Sequence, residues 1–207
     1  MINFIRNKMH IELIAEPIED PDSPEPEPKN NTHLDHNGTY FIVECEVGSV
    51  SVSLLDIRWI DSFHTIKMTD IQSIIEKTIG SKPHPRSLPD GLITFAIVAS
   101  DDAHMYQLNN DFRNKPAPTN VLSFPDGTLE EIDGEFHLGD IFLGYETIKS
   151  EAIKHNIPFR NHLSHLIVHG ILHLLGYDHE EEHQSQIMEQ KEVLILSFFN
   201  IPDPYSL

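Results

Sequence analysis

The stretch HGILHLLGYDH, which runs from His169 to His179, decides what this 207-residue chain can be. Its first two histidines, His169 and His173, are four residues apart, and residues at that spacing lie on one face of a helix, one turn apart. Gly176 follows three residues later, where a left-handed cap can end a helix and turn the chain back. That reversal lets His179 approach the first two histidines. The stretch therefore predicts a helix, a turn and three imidazoles around one point.

Three histidines around one point are the protein ligands of a common open zinc site. Because only three protein ligands are present, one coordination position stays open for water or a substrate oxygen, which is typical of a catalytic site and not of a structural one. Nickel, cobalt and copper also bind imidazole, so the spacing alone does not select the metal. We predict one Zn²⁺ per chain, bound by His169, His173 and His179 and used for hydrolysis.

The other side of this helix is apolar. Leu163, Ile167, Gly170 and Leu174 recur at helical spacing and predict the stripe that packs on the sheet. The histidines and the glycine of the turn match the metzincin pattern H-E-x-x-H-x-x-G-x-x-H. Gly170 stands where that pattern has its glutamate general base. Peptide hydrolysis is therefore disfavoured, and a metalloprotease-like hydrolase remains the alternative.

The segments around this stretch predict an α+β domain. Strand patterns occur at 40–55, with a possible turn at Gly48, and at 92–98, 121–124 and 138–143. Helical patterns occur at 69–79, after a cap at Ser100, and at 146–155, 159–175 and 180–199. Because the helices are concentrated late in the chain, we expect them to cover one face of a small mixed sheet. The metal-binding helix and turn should resemble those of metzincins.

The N-terminal part has a different composition. Residues 16–28, EPIEDPDSPEPEP, hold six acids, five prolines and no basic residue, so we predict an extended, solvated insertion that reaches to about residue 38. A short strand is predicted before it, at 9–15. The chain is thus read as an N-terminal strand region, 1–68, which contains the insertion, and a hydrolase core, 69–207, within a single domain.

Charge and cysteine content limit the partners and the compartment. Thirty-three acids against fourteen Lys and Arg give a net charge of −19, so nucleic acid would be repelled overall and would need a local binding site. The single cysteine, Cys45, excludes an internal disulfide and suits a reducing compartment. No apolar run approaches the roughly 20 residues that span a bilayer, and no secretory signal is evident. These features predict a soluble cytoplasmic protein without a membrane partner.

Further motifs carry a family resemblance. Residues 108–115 read LNNDFRNK, residues 118–125 read PTNVLSFP, residues 138–141 read LGDI, and residues 203–205 read DPY. Together with the histidine stretch, they resemble the YbeY family of bacterial metal-dependent endoribonucleases, which act in ribosomal RNA maturation. The resemblance covers about residue 69 to the C-terminus. Asn120 stands where the family usually has aspartate, and the acidic insertion has no counterpart in the family pattern.

The resemblance implies a function and a second site residue. The function is that of a single-strand-specific endoribonuclease in 16S rRNA 3′-end maturation and late ribosome quality control. The partners are the small ribosomal subunit and a ribosomal or assembly protein that delivers the substrate. Arg113 matches the family's functional arginine, and its planar guanidinium suits a phosphate. A non-catalytic ribosome-assembly factor with a metal site is a further alternative.

Several neighbouring residues have open roles. Lys115 is a weaker second candidate for phosphate binding, and Arg113 itself could instead form a salt bridge at the end of its helix. His162 and His165 lie on the face of the ligand histidines, where they either support the site or are merely exposed. Asp178 could orient a ligand histidine, accept a proton or cap the last helix. The general base is unassigned.

Overall fold

The computed structural model describes residues 39–45, 48–54, 58–59 and 68–206. The strands are β1 (Thr39–Cys45), β2 (Gly48–Leu54), β3 (Leu92–Ser100), β4 (Val121–Pro125), β5 (Glu131–Ile132) and β6 (Glu135–Gly144). The helices are α1 (Met68–Ile79), α2 (Asp102–Arg113), α3 (Tyr145–Lys154), α4 (Phe159–Leu174) and α5 (Glu182–Ser197). The strand expected at 9–15 and the insertion expected at about 16–38 lie outside the described residues. The division of the chain at residue 68 therefore stays a prediction.

The strands form one mixed sheet in the order β1-β2-β3-β6-β4, and the short β5 pairs with β6. β1 and β2 are an antiparallel hairpin, one of the two arrangements (a strand or a hairpin) that the alternation over 40–55 predicts. β2 with β3 and β3 with β6 are parallel pairs, which require crossover connections. β4 lies antiparallel to β6 and ends the sheet on that side. The mixed sheet and its helices confirm the α+β prediction.

Helix α4 carries His169 and His173 and is the centre of the helical layer. It packs on β4 and β6 and is in contact with α1, α3 and α5. The predicted apolar stripe is buried at all four positions. A Cβ at Gly170 would lie 2.8 Å from Cγ2 of Ile141, so the glycine allows the helix to approach the sheet closely. None of the helices in the described ranges is long and apolar enough to cross a membrane.

Helix α2 differs from the prediction in its cap and its location. Ser100 is the last residue of β3, and the N-cap is Asp101, whose carboxylate accepts the backbone N–H of His104 at 2.8 Å. The predicted cap at Ser100 is wrong because the hydroxyl instead lies 2.8 Å from Nδ1 of His104. The ring of His104 meets Phe142 edge to face. Since side chains alternate along a strand, Phe142 faces away from the buried Ile141, and α2 lies on the other face of the sheet.

Candidate metal centre

The turn after α4 brings the third histidine back to the first two. Leu175 caps the helix, and Gly176 follows with a φ of +89°. The backbone N–H of Gly176 donates to the carbonyl of His173, and that of Tyr177 donates to the carbonyl of Leu172, both at 3.0 Å. This pair of hydrogen bonds is the Schellman arrangement, which satisfies carbonyls left free at a helix end. The left-handed turn predicted at Gly176 is present.

The three histidines form one cluster. Nε2 of His169 lies 3.1 Å from Nε2 of His173. The ring of His179 lies with its centroid 5.4 Å from that of His169 and 4.9 Å from that of His173. Each side chain offers one ring nitrogen, and these nitrogens all lie within 4.8 Å of one another. The three residues that the sequence places together therefore meet in the structure and could hold a metal ion.

The hydrogen bonds of the Nδ1 atoms of His169 and His173 determine whether their Nε2 atoms, which face each other, carry protons. Nδ1 of His173 lies 3.1 Å from the carbonyl oxygen of Tyr177, and Nδ1 of His169 lies 2.9 Å from Oε1 of Glu192. A carbonyl and a carboxylate only accept hydrogen bonds, so both Nδ1 atoms must carry the proton. In neutral imidazoles, both Nε2 atoms then present lone pairs to each other. A cation between them relieves this repulsion, so the donor set fits a metal ion.

The protonation of His173 is consistent with that fit. Burial, followed by the neighbouring imidazoles of His169 and His179, lowers the pKa of His173 to about 4. The imidazole is therefore neutral at pH 7, the state in which histidine binds metals.

Glu192 was missed by the sequence reasoning. It is fully buried and lies between two histidines: Oε1 accepts from His169, and Oε2 lies 2.7 Å from Nε2 of His165. The hydroxyl of Tyr205 also donates to Oε2. Burial raises the pKa of Glu192, but the hydrogen bonds from both histidines outweigh it and lower the pKa to about 2. The sequence did contain one indication that Glu192 is buried, because it lies four residues after the buried Met188 on the same face of the helix.

A cleft of about 870 Å³ opens beside the histidines. His173 and His179 line it on one side, together with the turn after α4. Among the residues that the structure describes, the positively charged ones on its wall are Arg86, Arg113 and Lys115. Arg86 supports the wall itself, because its guanidinium donates to the carbonyls of Leu138, Leu174 and Asp126. The cleft therefore combines the histidine cluster with cationic groups in a chain whose net charge is −19.

The end of α2 places Arg113 and Lys115 at this cleft. Asn114 caps the helix in the left-handed conformation, and its N–H donates to the carbonyls of Asn109 and Asn110. The side-chain amide of Asn109 donates to the carbonyl of Ala117 at 2.8 Å and holds the loop back against the helix. Arg113 is exposed, and among the residues that the structure describes none forms an ion pair with it. The described residues therefore do not support the alternative of a helix-end salt bridge.

The remaining candidates have structural partners. His162 lies 2.7 Å from the carboxylate of Glu151, which also accepts the side-chain amide of Asn120 at 2.9 Å. The side-chain oxygen of Asn120 also accepts the backbone N–H of Val121, the first residue of β4, so the amide stabilises the start of that strand. Asp178 accepts the backbone N–H of His179 at 2.7 Å. It does not cap the last helix, whose N-cap position is residue 181.

Comparison with known proteins identifies the family of this chain. A protein-family model described as Endoribonuclease YbeY matches residues 56–200, a range that includes all three histidines and Arg113. The chain belongs to the YbeY family. The family resemblance read from the sequence motifs is thus confirmed.

Curated YbeY proteins show the extent of the match. Endoribonuclease YbeY of Rhodopseudomonas palustris is 51% identical over 113 residues, which cover 54% of this chain and 60% of that protein. The Bradyrhizobium diazoefficiens protein of the same name is 40% identical over 141 residues, covering 66% of this chain and 77% of that protein. The match thus spans less than two thirds of the Rhodopseudomonas protein and about three quarters of the Bradyrhizobium protein. The solution structure of TM1509 from Thermotoga maritima is 26% identical, covers 72% of this chain and 87% of its own, and has a TM-score of 0.46.

Proposed function

We propose that this protein is a metal-dependent endoribonuclease in which His169, His173 and His179 hold one Zn²⁺ and Arg113 binds the phosphate of the scissile bond. The observation that carries the proposal is the shared cleft: Arg113 and two of the three histidines line the same cavity. Family membership supports the reaction, because the named relatives are endoribonucleases, which hydrolyse phosphodiester bonds.

The residues of the cleft have separate tasks in this reaction. A zinc ion held by neutral histidines supplies uncompensated positive charge, which stabilises negative charge on a reacting phosphoryl group. The guanidinium of Arg113 binds the non-bridging phosphate oxygens in its planar fork and orients the phosphate toward the histidines. Lys115 adds a further positive charge on the same wall and contributes to RNA affinity. The residue that moves the proton is unassigned.

The alternative of a metalloprotease-like hydrolase is disfavoured by Gly170. This residue stands where metzincins have their general base, and it faces the sheet. A Cβ added at Gly170 would lie 2.8 Å from the side chain of Ile141. A glutamate at this position would enter the core and not the cleft. A glutamate at position 170 therefore could not act as the general base of a peptidase in this cleft.

The family resemblance is the basis of the cellular role that we propose. We propose that the substrate is single-stranded ribosomal RNA, cut during 3′-end maturation of 16S rRNA and in late ribosome quality control in the cytoplasm. With a net charge of −19, the chain gains little from long-range attraction to free RNA. The small ribosomal subunit, or a ribosomal or assembly protein, therefore delivers the substrate.

Metal content and RNA cleavage, measured together, test the proposal. We expect one zinc per wild-type chain, loss of zinc and cleavage in His173→Ala, and retained zinc with lost cleavage in Arg113→Ala. The matched controls are His183→Ala and Arg160→Ala, which change exposed residues of α5 and α4 outside the cleft. If His173→Ala and Arg113→Ala cut RNA like the wild type, the protein is a non-catalytic assembly factor and the activity belongs to a contaminant.

A further inference from the structure

We propose that Glu192 is the positioning residue of the ligand His169, and that His165 and Tyr205 hold its carboxylate in place, so that the C-terminal segment is part of the metal centre. This inference deepens the proposed function and rests on its metal site. It concerns residues that neither the histidine motif nor the match to known proteins assigns.

The contact between Glu192 and His169 selects one form of the imidazole. A neutral histidine carries its proton on either ring nitrogen, and only the unprotonated nitrogen can bind a metal. Oε1 of Glu192 lies 2.9 Å from Nδ1 of His169 and can only accept, so the proton is held at Nδ1. Nε2, which faces His173, is then free to bind. The hydrogen bond also fixes the rotation of the ring.

The carboxylate is itself held from its other side. Oε2 accepts from Nε2 of His165 at 2.7 Å and from the hydroxyl of Tyr205. With three donors, a fully buried carboxylate keeps its charge and has one orientation. Hydrogen bonds explain these distances better than a second metal ion between His165, His169 and Glu192 would. Two ligand atoms of a tetrahedral zinc lie about 3.3 Å apart, longer than the 2.7 and 2.9 Å observed here.

Tyr205 links the end of the chain to this arrangement. It follows α5 after the loop that begins at residue 198, and its backbone N–H donates to the carboxylate of Asp203 at 2.8 Å. Its ring stands edge to face with His165, at 5.7 Å between centroids. Burial, followed by the charge of Glu192, raises the pKa of Tyr205, so its hydroxyl stays a donor at neutral pH. The residues after α5 thereby contact the carboxylate that contacts the ligand.

Zinc affinity, measured by competition with a chelator, tests the proposal. In Glu192→Met, which removes both acceptor oxygens, we expect affinity to fall by about 10- to 100-fold, the usual effect of losing a residue that orients a metal ligand. Glu192→Gln keeps one acceptor oxygen for His169 and should lose less. Tyr205→Phe removes only one of the three donors to the carboxylate, so its zinc affinity should fall by less than that of Glu192→Met. Glu189→Gln is the matched control, because it removes a carboxylate one turn earlier on α5 whose hydrogen bond is to Ser185.

A second measurement separates this inference from the metal site itself. In the metal-free protein, ¹H–¹⁵N correlation spectra of the imidazoles report which ring nitrogen carries the proton. We expect His169 to be protonated at Nδ1 in the wild type and in Glu189→Gln, and to lose this preference in Glu192→Met. Tyr205→Phe keeps the test decisive if the Glu192 variants do not fold.

The outcomes are distinct. If folded Glu192→Met and Tyr205→Phe bind zinc like the wild type and His169 keeps its proton at Nδ1, the positioning role is wrong although the three-histidine site stands. If the wild type binds no zinc while His169 is protonated at Nδ1 only when Glu192 is present, the hydrogen bond is right and the metal site is wrong. If His169 in the wild type is protonated at Nε2, the inference fails whatever the zinc content.

Discussion

Nε2 of His169 lies 3.1 Å from Nε2 of His173, and neither nitrogen has a proton to share when both imidazoles are neutral. Each ring already donates from Nδ1, to Glu192 and to the carbonyl of Tyr177 respectively. Two lone pairs at this distance repel, so the cluster is stable with a cation and strained without one. This relationship links the stability of the fold to the occupancy of the site.

We therefore expect zinc to stabilise the protein. A ligand that binds only the folded state at 100 times its Kd adds about 2.7 kcal/mol to the free energy of unfolding. The thermal midpoint of the chelated protein should rise when zinc is added to the wild type and to His183→Ala, and should stay unchanged in His173→Ala. Equal rises in all three proteins would mean that zinc stabilises the fold from another place.

Gly176 should be required for both the turn and the third ligand. Its φ of +89° is costly for any residue with a Cβ, and a Cβ there would lie 3.1 Å from Cβ of Arg86. We expect Gly176→Ala to lower the free energy of unfolding of the metal-free protein by about 1–2 kcal/mol and to weaken zinc binding through His179. Urea unfolding measures the first effect.

Gly127→Ala provides the control for this substitution. A Cβ at Gly127 would meet no atom of the described residues within 4 Å, so this variant should unfold like the wild type. If Gly176→Ala also unfolds like the wild type and keeps its zinc affinity, the left-handed turn does not position His179.

The turn and the cluster could be predicted from the sequence because they are local. His169, His173, Gly176 and His179 lie within eleven residues, and their arrangement depends on helix periodicity and one left-handed residue. The predicted helices 146–155, 159–175 and 180–199 agree with α3, α4 and α5 within two residues at each end. The two-residue strand β5 was missed because both of its residues are exposed and show no periodicity.

The positive charge of Arg113 should contribute to the affinity for RNA. Log affinity falls linearly with log salt concentration, and each phosphate contact that is lost makes this line flatter by about one unit of slope. We expect Arg113→Ala and Lys115→Ala each to show this decrease in slope with a single-stranded RNA and chelated protein, and Arg160→Ala to show none. An unchanged slope in Arg113→Ala would place the phosphate elsewhere.

Arg113→Lys distinguishes charge from geometry in the same cleft. Lysine keeps the positive charge but lacks the planar fork, so RNA affinity should be largely retained while the cleavage rate falls by about tenfold or more. Single-turnover cleavage at saturating RNA measures the rate. A wild-type rate in Arg113→Lys would show that a positive charge alone suffices.

The long-range contacts could not be predicted in the same way. Glu192 and His169 are 23 residues apart, and Tyr205 and His165 are 40 apart, so only the packing of α5 and the C-terminal segment on α4 brings them together. The placement of Arg113 in the cleft also depends on sheet order, which the spacing of motifs does not contain.

Glu151 should give stability a measurable pH dependence. Burial raises the pKa of Glu151, but hydrogen bonds from His162 and Asn120 outweigh it, and the pKa lies below its ordinary value of 4.5. A carboxyl whose pKa is lowered on folding contributes stability that is fully present above pH 4.5 and is lost as the pH falls through the lowered pKa.

The contribution is isolated by comparing two chelated proteins. The free energy of unfolding of the wild type minus that of Glu151→Gln should be positive at pH 7 and should shrink below pH 4.5. Urea titrations at several pH values measure the difference. A difference that is constant with pH would show that the carboxylate charge does not contribute.

Anomalous diffraction at the zinc edge, from crystals of the zinc-loaded protein, tests the metal centre most directly. We expect one peak per chain between the ring nitrogens of His169, His173 and His179, on the side that faces the cleft of Arg113. Absence of a peak there, or a peak between His165, His169 and Glu192, would contradict the account.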